Sequence, residues 1–105
     1  MATPIVAGFD WDEANREKCL KHGVSLQAIE SMFERDIAVL PDPAHSGAET
    51  RYKAIGTTAE GRHVLIVFTL RMRDHGSWIR PISARYMHAK EVRYYEKEAT
   101  KAPKR

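Results

Sequence analysis

The sequence has few of the features that would tie its fold to oxidation or to a membrane. Among its 105 residues there is one cysteine, Cys19, so no disulfide can form within the chain. The longest apolar run, Val64–Phe68, is far shorter than the ~20 residues that a membrane-spanning helix needs. The N-terminus lacks the charged and then apolar pattern of a secretion signal. These absences predict a cytoplasmic protein of one domain.

Common catalytic and cofactor motifs are also absent. The five histidines are not paired with cysteine at zinc-site spacing, and there is no H-E-x-x-H helix. The chain has no glycine-rich nucleotide loop and no serine nucleophile elbow. Cys19 falls in a predicted helix, where a small buried residue is the simpler interpretation. We therefore expect neither a metal site nor an organic cofactor.

The charge of the chain is divided unevenly along its length. Residues 1–50 hold four Lys/Arg and nine Asp/Glu, a net charge of −5, whereas residues 51–105 hold thirteen and five, a net charge of +8. A basic half indicates an anionic partner, nucleic acid before a membrane surface. The alternative is a solvated basic surface without a partner, because charges grouped in sequence need not be grouped in space.

The first third of the chain predicts two helices. Asp12 suits the N-cap of a helix over 13–21, because its carboxylate can accept a hydrogen bond from the first turn. Gly23 suits the left-handed residue that commonly ends a helix. Ser25 can cap a second helix over 26–33, whose apolar residues recur at helical spacing and indicate a core-facing stripe.

Four strands and a final helix are predicted for the rest. The strands cover 36–40, 52–57, 64–70 and 78–84, the helix covers 88–99, and residues 9–12 could add a short strand before the first helix. Short connections favour an antiparallel meander with the helices on one face. Pro81 indicates an edge position or a bulge. We predict one α+β domain over 1–100, with two N-terminal helices, an antiparallel four-stranded meander and a C-terminal helix, and a disordered basic tail over 101–105.

The basic half interleaves arginines with aromatic residues. Arginines fall near strand ends and at the junction with the last helix, at Arg51, Arg71, Arg73, Arg80, Arg85 and Arg93. On the last helix, Lys90, Arg93, Lys97 and Lys101 recur at spacings of three and four and form one face. Arginine suits phosphate contacts and aromatic rings stack on bases, which favours single-stranded RNA. Trp78 is a candidate for stacking, although Trp78 and Tyr52 can alternatively fill the core.

RNA cleavage by internal transesterification defines which residue types to look for. It needs a base for the 2′-hydroxyl proton, cations for the charged transition state and an acid for the 5′-oxygen. Glu49 is a candidate base that Arg51 could orient, and His22, His45 and His88 are candidate bases or acids. The candidate charge stabilisers are Arg51, Arg71, Arg80 and Arg85.

Arg80 and Arg85 pose a geometric question. They are an odd number of residues apart, so they point to opposite faces of a regular strand. They converge only if Arg85 lies beyond the strand or if Pro81 marks a bulge.

Several ordered motifs together resemble one known family over nearly the whole chain. They are FDWD (9–12), KHGVSL (21–26), FERD (33–36), DPAHS (42–46), ETRY (49–52), VFT (67–69), RPISAR (80–85) and EVRYYE (91–96). This set resembles the BrnT family of type II toxins. Residues 86–88, Tyr-Met-His, depart from the small and basic residues of many members, so His88 is either an additional participant or a substitute.

The resemblance implies a RelE-like fold and a growth-arresting ribonuclease that needs no metal. It also implies neutralisation by a BrnA-type antitoxin, through which alone the protein would reach operator DNA. By position, Glu49, Arg51, Arg80 and Arg85 match the family's polar motif residues, and His22 and Arg71 match more weakly. Two other functions remain open from the residues: a non-catalytic RNA- or DNA-binding regulator, and a degenerate toxin that serves as a scaffold.

Overall fold

The computed structural model describes residues 6–35, 37–42, 49–73 and 76–101. Within these ranges, three helices and five strands follow one another in the order β1, α1, α2, β2, β3, β4, β5 and α3. Their bounds are β1 Val6–Phe9, α1 Glu13–Leu20, α2 Leu26–Met32, β2 Ala38–Pro41, β3 Arg51–Thr57, β4 His63–Arg73, β5 Gly76–Tyr86 and α3 Ala89–Lys101. None of the helices in these residues is long and apolar enough to cross a membrane.

The five strands form one mixed sheet in the order β1-β5-β4-β3-β2. Strands β2 to β5 pair antiparallel, as the predicted meander requires. The prediction of four strands is wrong, because β1 adds a fifth that pairs parallel with β5. The short connections between strands could not predict this pairing, because most of the chain lies between β1 and β5 in sequence. The added strand also removes β5 from the edge of the sheet.

A bulge lies beside Pro81 in β5. Val67 of β4 pairs with Ser83 and Phe68 pairs with Pro81, so Ile82 is an extra residue without a partner in the register. An extra residue in one strand reverses the alternation of the residues beyond it. The bulge that Pro81 indicated is therefore confirmed. It keeps Ile79 and Ala84, which lie on either side of it, both directed into the core.

The core lies between the sheet and helices α1 and α2. The helices contribute Cys19, Ile29 and Met32, and their connection contributes Val24. The sheet contributes Ala54, Val64, Ile66, Phe68, Ile79 and Ala84. The predicted stripe of the second helix is confirmed, with Ile29 and Met32 wholly buried and Leu26 and Phe33 packed against them. Tyr52 stacks on Phe68 at 5.5 Å between ring centroids, so it belongs to the core.

The predicted cap residues lie before α1, after α1 and before α2. The Asp12 carboxylate accepts from the Asn15 backbone N–H at 2.9 Å, and the Asn15 side chain accepts from the Asp12 N–H at 2.7 Å. This reciprocal pair satisfies two backbone donors that the first turn would otherwise leave free. Gly23 has a φ of 84°, and the Ser25 hydroxyl accepts from the Ala28 N–H at 3.0 Å.

Helix α3 lies on the other side of the sheet. It borders an open groove of about 870 Å³ in which Tyr94 and Tyr95 line the space with Ile55 and Leu65 of the sheet. Neither Ile55 nor Leu65 is directed toward α1 and α2, because the residues adjacent to them in each strand are the ones packed in that core. The expectation that all helices cover one face is therefore wrong.

Candidate functional site

The sheet face opposite α1 and α2 carries most of the predicted arginines, and we call it the outer face. Residues paired directly across antiparallel strands lie on the same face, and alternate residues of one strand do so as well. From the register, the outer face includes Arg51, Lys53 and Ile55 of β3, Leu65, Val67, Thr69 and Arg71 of β4, and Trp78, Arg80, Ser83 and Arg85 of β5. The basic half of the sequence thus becomes a basic surface.

Three strands supply a row of residues across the middle of this face. Arg51 of β3 pairs with Thr69 of β4, and Thr69 pairs with Arg80 of β5. Arg71 lies two residues beyond Thr69 on β4 and pairs with Trp78. We call Arg51, Thr69, Arg71 and Arg80 the central row. It places three arginines at positions next to one threonine on the same face, a set of residues suited to a phosphate.

Glu49 joins the central row from the residues before β3. Its Oε1 accepts from Arg71 Nη2 at 3.4 Å, and its Oε2 lies 3.4 Å from Arg71 Nε. Both side chains are nearly half exposed, at 47% for Glu49 and 42% for Arg71. A carboxylate is therefore held beside the arginines while it stays open to solvent.

The connection from β1 to α1 fixes Arg80. Arg80 Nη2 donates to Asp12 Oδ2 at 2.6 Å, and Nη1 lies 3.9 Å from Asp10 Oδ2. The backbone hydrogen bond from Asn15 and the side-chain bond from Arg80 lower the pKa of the Asp12 carboxyl below its usual value. Only 17% of the Arg80 side chain is exposed. Arg80 is thus held in place, whereas Arg71 keeps more freedom.

Two buried side-chain nitrogen or oxygen atoms in the described residues have no hydrogen-bond partner, and both belong to the central row. They are Thr69 Oγ1 and Arg71 Nε. The 3.4 Å separation of Arg71 Nε from Glu49 is an ion pair but does not meet hydrogen-bond geometry. Buried polar groups in proteins are nearly always hydrogen-bonded, so two unused groups on adjacent outer-face positions of β4 set this place apart.

Arg85 lies on the same face but at its other end. Because of the bulge, Arg85 pairs with Leu65 and Arg80 pairs with Thr69, so the odd spacing that separated them in a regular strand no longer does. The two pairing positions, Leu65 and Thr69, are four residues apart on β4, which is about 13 Å along the strand. The structure therefore brings the two arginines to one face and holds each of them at a different carboxylate, Arg80 at Asp12 and Arg85 at Glu91.

Helix α3 holds Arg85 through Glu91. Arg85 Nη1 and Nη2 donate to the two Glu91 carboxylate oxygens, each at 2.8 Å, and the His88 backbone N–H donates to Glu91 Oε1 at 2.9 Å. The Arg85 bond is the main cause that lowers the pKa of Glu91, to about 2. Arg85 is thus neutralised by an ionised carboxylate, and Glu91 also caps the first turn of α3.

The remaining predicted residues lie outside the central row. His22 follows α1, on the side of the sheet that α1 and α2 cover. His88 is exposed at the start of α3, beside Arg85. Lys90, Arg93 and Lys97 are exposed on α3, whereas the Lys101 side chain lies outside the described part. His45 lies outside the described residues, as does the tail after residue 101.

Trp78 is partly committed to packing. A Cβ added to Gly8 of β1 would lie 2.7 Å from Cζ3 of the indole, so the ring lies close over the β1 backbone. On the indole, the Arg73 guanidinium lies 5.4 Å from the ring centroid. Trp78 is partly exposed, so it is a weaker candidate for base stacking than a free aromatic ring would be.

The described residues include neither a reactive cysteine nor a cluster of metal ligands. Cys19 is wholly buried in the core, and this burial raises the pKa of its thiol to about 11. A thiol with so high a pKa is a poor nucleophile at neutral pH. No three His, Cys, Asp or Glu side chains in the described ranges lie together as a metal site would require.

Sequence reasoning did not assign Asp10, Thr69 or Glu91 to the site, and it used Asp12 only as a helix cap. Two signals could have found some of them. Strict alternation along β4 places Thr69 opposite the core residues Ile66 and Phe68, and Glu91 is the third residue of a helix whose cap is His88. Asp10 could not be found this way, because its contact with Arg80 depends on the parallel pairing of β1.

The outer face, with the Glu49 carboxylate beside Arg71, carries residue types that RNA cleavage by internal transesterification needs. The family model for the ribonuclease toxin BrnT of type II toxin–antitoxin systems matches residues 11–91. The chain belongs to the BrnT family, as its ordered motifs predicted. No curated protein matches the chain.

Proposed function

We propose that this toxin cuts RNA at the central row without a metal ion. The observation that carries the proposal is the convergence of Arg51, Arg71 and Arg80 from three strands around Thr69, with Glu49 held beside them. Three guanidinium groups can bind a phosphate through several charge-assisted hydrogen bonds. We also propose that the chain has the RelE-like fold that the resemblance implies.

The proposed reaction is an internal transesterification. Glu49 accepts the proton of the 2′-hydroxyl, and the 2′-oxygen attacks the adjacent phosphorus as the bond from phosphorus to the 5′-oxygen breaks. The 5′-oxygen takes a proton from solvent, and the other product carries a 2′,3′-cyclic phosphate. Arg51, Arg71 and Arg80 stabilise the extra negative charge of the transition state.

The groups at the other end of the outer face are proposed to bind rather than to cleave. Lys90, Arg93 and Lys97 are exposed cations on α3, and Arg85 lies between that helix and the central row. An RNA strand that crosses the outer face would meet these cations beyond the scissile phosphate. His88 and Trp78 are assigned here to contacts with this strand, and His22 has no place in the proposal.

The cellular setting is proposed from the family. A type II toxin has a protein antitoxin, which we propose to be of the BrnA type, with operator DNA bound only through that partner. We propose that the toxin acts in the cytoplasm, where its RNA substrate is found.

The test is cleavage of a single-stranded RNA oligonucleotide by the purified, antitoxin-free protein in EDTA. We expect products that end in 2′,3′-cyclic phosphate and 5′-hydroxyl, and no cleavage where a 2′-deoxynucleotide replaces the nucleotide 5′ to the scissile phosphate. Arg71→Ala should lower the cleavage rate at least tenfold. Arg16→Ala is the matched control, because Arg16 is exposed on α1, on the opposite side of the sheet.

Three results would contradict the proposal in different ways. Cleavage that stops in EDTA would show that a metal is needed. Cleavage by Arg71→Ala at the wild-type rate would show that the site is elsewhere. An intact oligonucleotide that is nevertheless bound tightly by the wild type would favour a non-catalytic binding protein or a degenerate toxin.

A further inference from the structure

Thr69 is the central residue of the row and the one without a charge. Its side chain is 2% exposed, and its hydroxyl has no hydrogen-bond partner. A threonine hydroxyl can both donate and accept, whereas arginine can only donate. With Arg51 and Arg80 as its cross-strand neighbours, the hydroxyl proton of Thr69 lacks an acceptor.

The unused Nε of Arg71 defines where the acceptor would lie. Thr69 and Arg71 are two residues apart on β4, so both extend from the outer face of the same strand. Two unused donors at adjacent positions can be satisfied by one group with several acceptor oxygens. A phosphate diester has two non-bridging oxygens and a negative charge, so it matches two donors set among guanidinium groups.

We propose that Thr69 is a substrate-contacting residue that donates its hydroxyl hydrogen to a non-bridging oxygen of the scissile phosphate. Arg71 Nε donates to the same phosphate. This inference rests on the proposed function and adds to it a neutral donor beside the three arginines and the Glu49 carboxylate. Thr69 is 2% exposed in the free protein, so its contact with a phosphate requires neighbouring side chains to move, and the long side chains of Arg51 and Arg71 have many rotamers available for this.

A neutral donor has a specific value at this position. It contributes a hydrogen bond to the phosphate without adding a fourth positive charge, whose repulsion would destabilise the free site. It also sits on the backbone of a central strand, so its position is better fixed than that of a long side chain. The hydroxyl is therefore suited to orient the phosphate while the arginines supply charge.

The test compares Thr69→Val with Thr69→Ser. Valine keeps the shape of threonine and removes the hydroxyl, whereas serine keeps the hydroxyl and removes a methyl group. We expect Thr69→Val to lower kcat/KM for the RNA oligonucleotide about ten- to hundredfold, the range of one hydrogen bond to a charged group. Thr69→Ser should stay within a few-fold of the wild type. Thr57→Val, at the far end of β3, is the matched control and should cut normally.

Stability measurements separate a substrate contact from a structural role. Because the hydroxyl has no partner in the free protein, Thr69→Val should melt at the wild-type temperature or above it. A lower melting temperature would show that the hydroxyl has a protein partner, and it would overturn the inference. Normal cleavage by Thr69→Val, or equal losses in the valine and serine variants, would overturn it as well.

The failure of this inference can be distinguished from failure of the proposed function. If the wild type does not cut RNA, the proposed cleavage fails, and the same variants are compared by their affinity for the intact oligonucleotide. Weaker binding by Thr69→Val than by Thr57→Val would support the phosphate contact without cleavage. Equal binding by these two variants would overturn it.

Discussion

At the scale of single residues, Gly8 controls the position of Trp78. There is no room for a Cβ at this position, because it would come within 2.7 Å of the indole ring. We expect Gly8→Ala to lower the free energy of unfolding by about 1–3 kcal/mol, the usual cost of forcing an extra methyl group into a packed contact. Urea denaturation measures the change. Ala7→Ser, at the exposed neighbouring position of β1, is the control, and equal midpoints for the two variants would contradict the argument.

The role of a single residue could be predicted from the sequence when its contacts lie close to it along the chain. Asp12, Gly23 and Ser25 act through backbone groups within a few residues of themselves, and their roles at helix ends were predicted correctly. Not all of the partners of Arg80 and Arg85 lie close to them in the sequence. Asp12 is 68 residues from Arg80 in sequence, so no spacing rule could connect them.

At the scale of elements, the bulge at Ile82 keeps the core-facing residues of both halves of β5 on the same face of the sheet. Before it, Ile79 is directed into the core, and after it Ala84 is, although these residues are an odd number of positions apart. Deletion of Ile82 would place Ile79 and Ala84, and likewise Arg80 and Arg85, four positions apart, so a regular strand would keep each pair on its own face. We therefore expect the deletion to be tolerated, whereas one residue inserted after Ile82 should turn Ala84 out of the core. Circular dichroism and thermal melting should show cooperative unfolding of the deletion variant and a much lower melting temperature for the insertion variant. A deletion variant that does not fold, or an insertion variant with the wild-type melting temperature, would contradict this role.

A second prediction at this scale concerns the ion pair between β5 and α3. The folded-state pKa of Glu91 is about 2, below its ordinary value of 4.5, mainly because of the Arg85 hydrogen bond. A carboxylate with a lowered pKa stabilises the fold above its unfolded-state pKa, and this contribution is lost as the pH falls from about 4.5 toward 2. We expect Glu91→Gln to flatten the fall in urea midpoint across that interval. Glu96→Gln, on the same helix, should keep the wild-type slope; identical profiles for the two variants would contradict the prediction.

The elements themselves were predicted better than their arrangement. Cap residues located α1, apolar periodicity located α2, and apolar runs between turn residues located the four antiparallel strands, because each signal is contained within its own segment. The parallel addition of β1 and the position of α3 on the outer face depend on contacts between distant segments. The candidate site followed the same division, since residue types indicated arginines and a carboxylate, whereas only the register showed which of them meet.

At the scale of the whole molecule, the sheet separates the two halves of the charge distribution. Helices α1 and α2 come from the acidic half and cover one face, and the arginines of the basic half lie on the other. Strand alternation therefore turns a division along the sequence into a division across the sheet. An RNA that approaches the outer face meets cations without first passing the acidic helices.

The salt dependence of RNA binding tests this separation of charge. If the three arginines of the central row each displace a counterion, the logarithm of the binding constant should fall with the logarithm of salt concentration with a slope of about −2. Arg71→Ala should make the slope shallower by about 0.7, and Arg16→Ala, on the acidic side, should leave it unchanged. Fluorescence anisotropy of a labelled oligonucleotide carrying a 2′-deoxy block to cleavage measures both slopes. Equal changes in the two variants would mean that RNA responds to the net charge of the protein and not to the outer face, because both substitutions remove one positive charge.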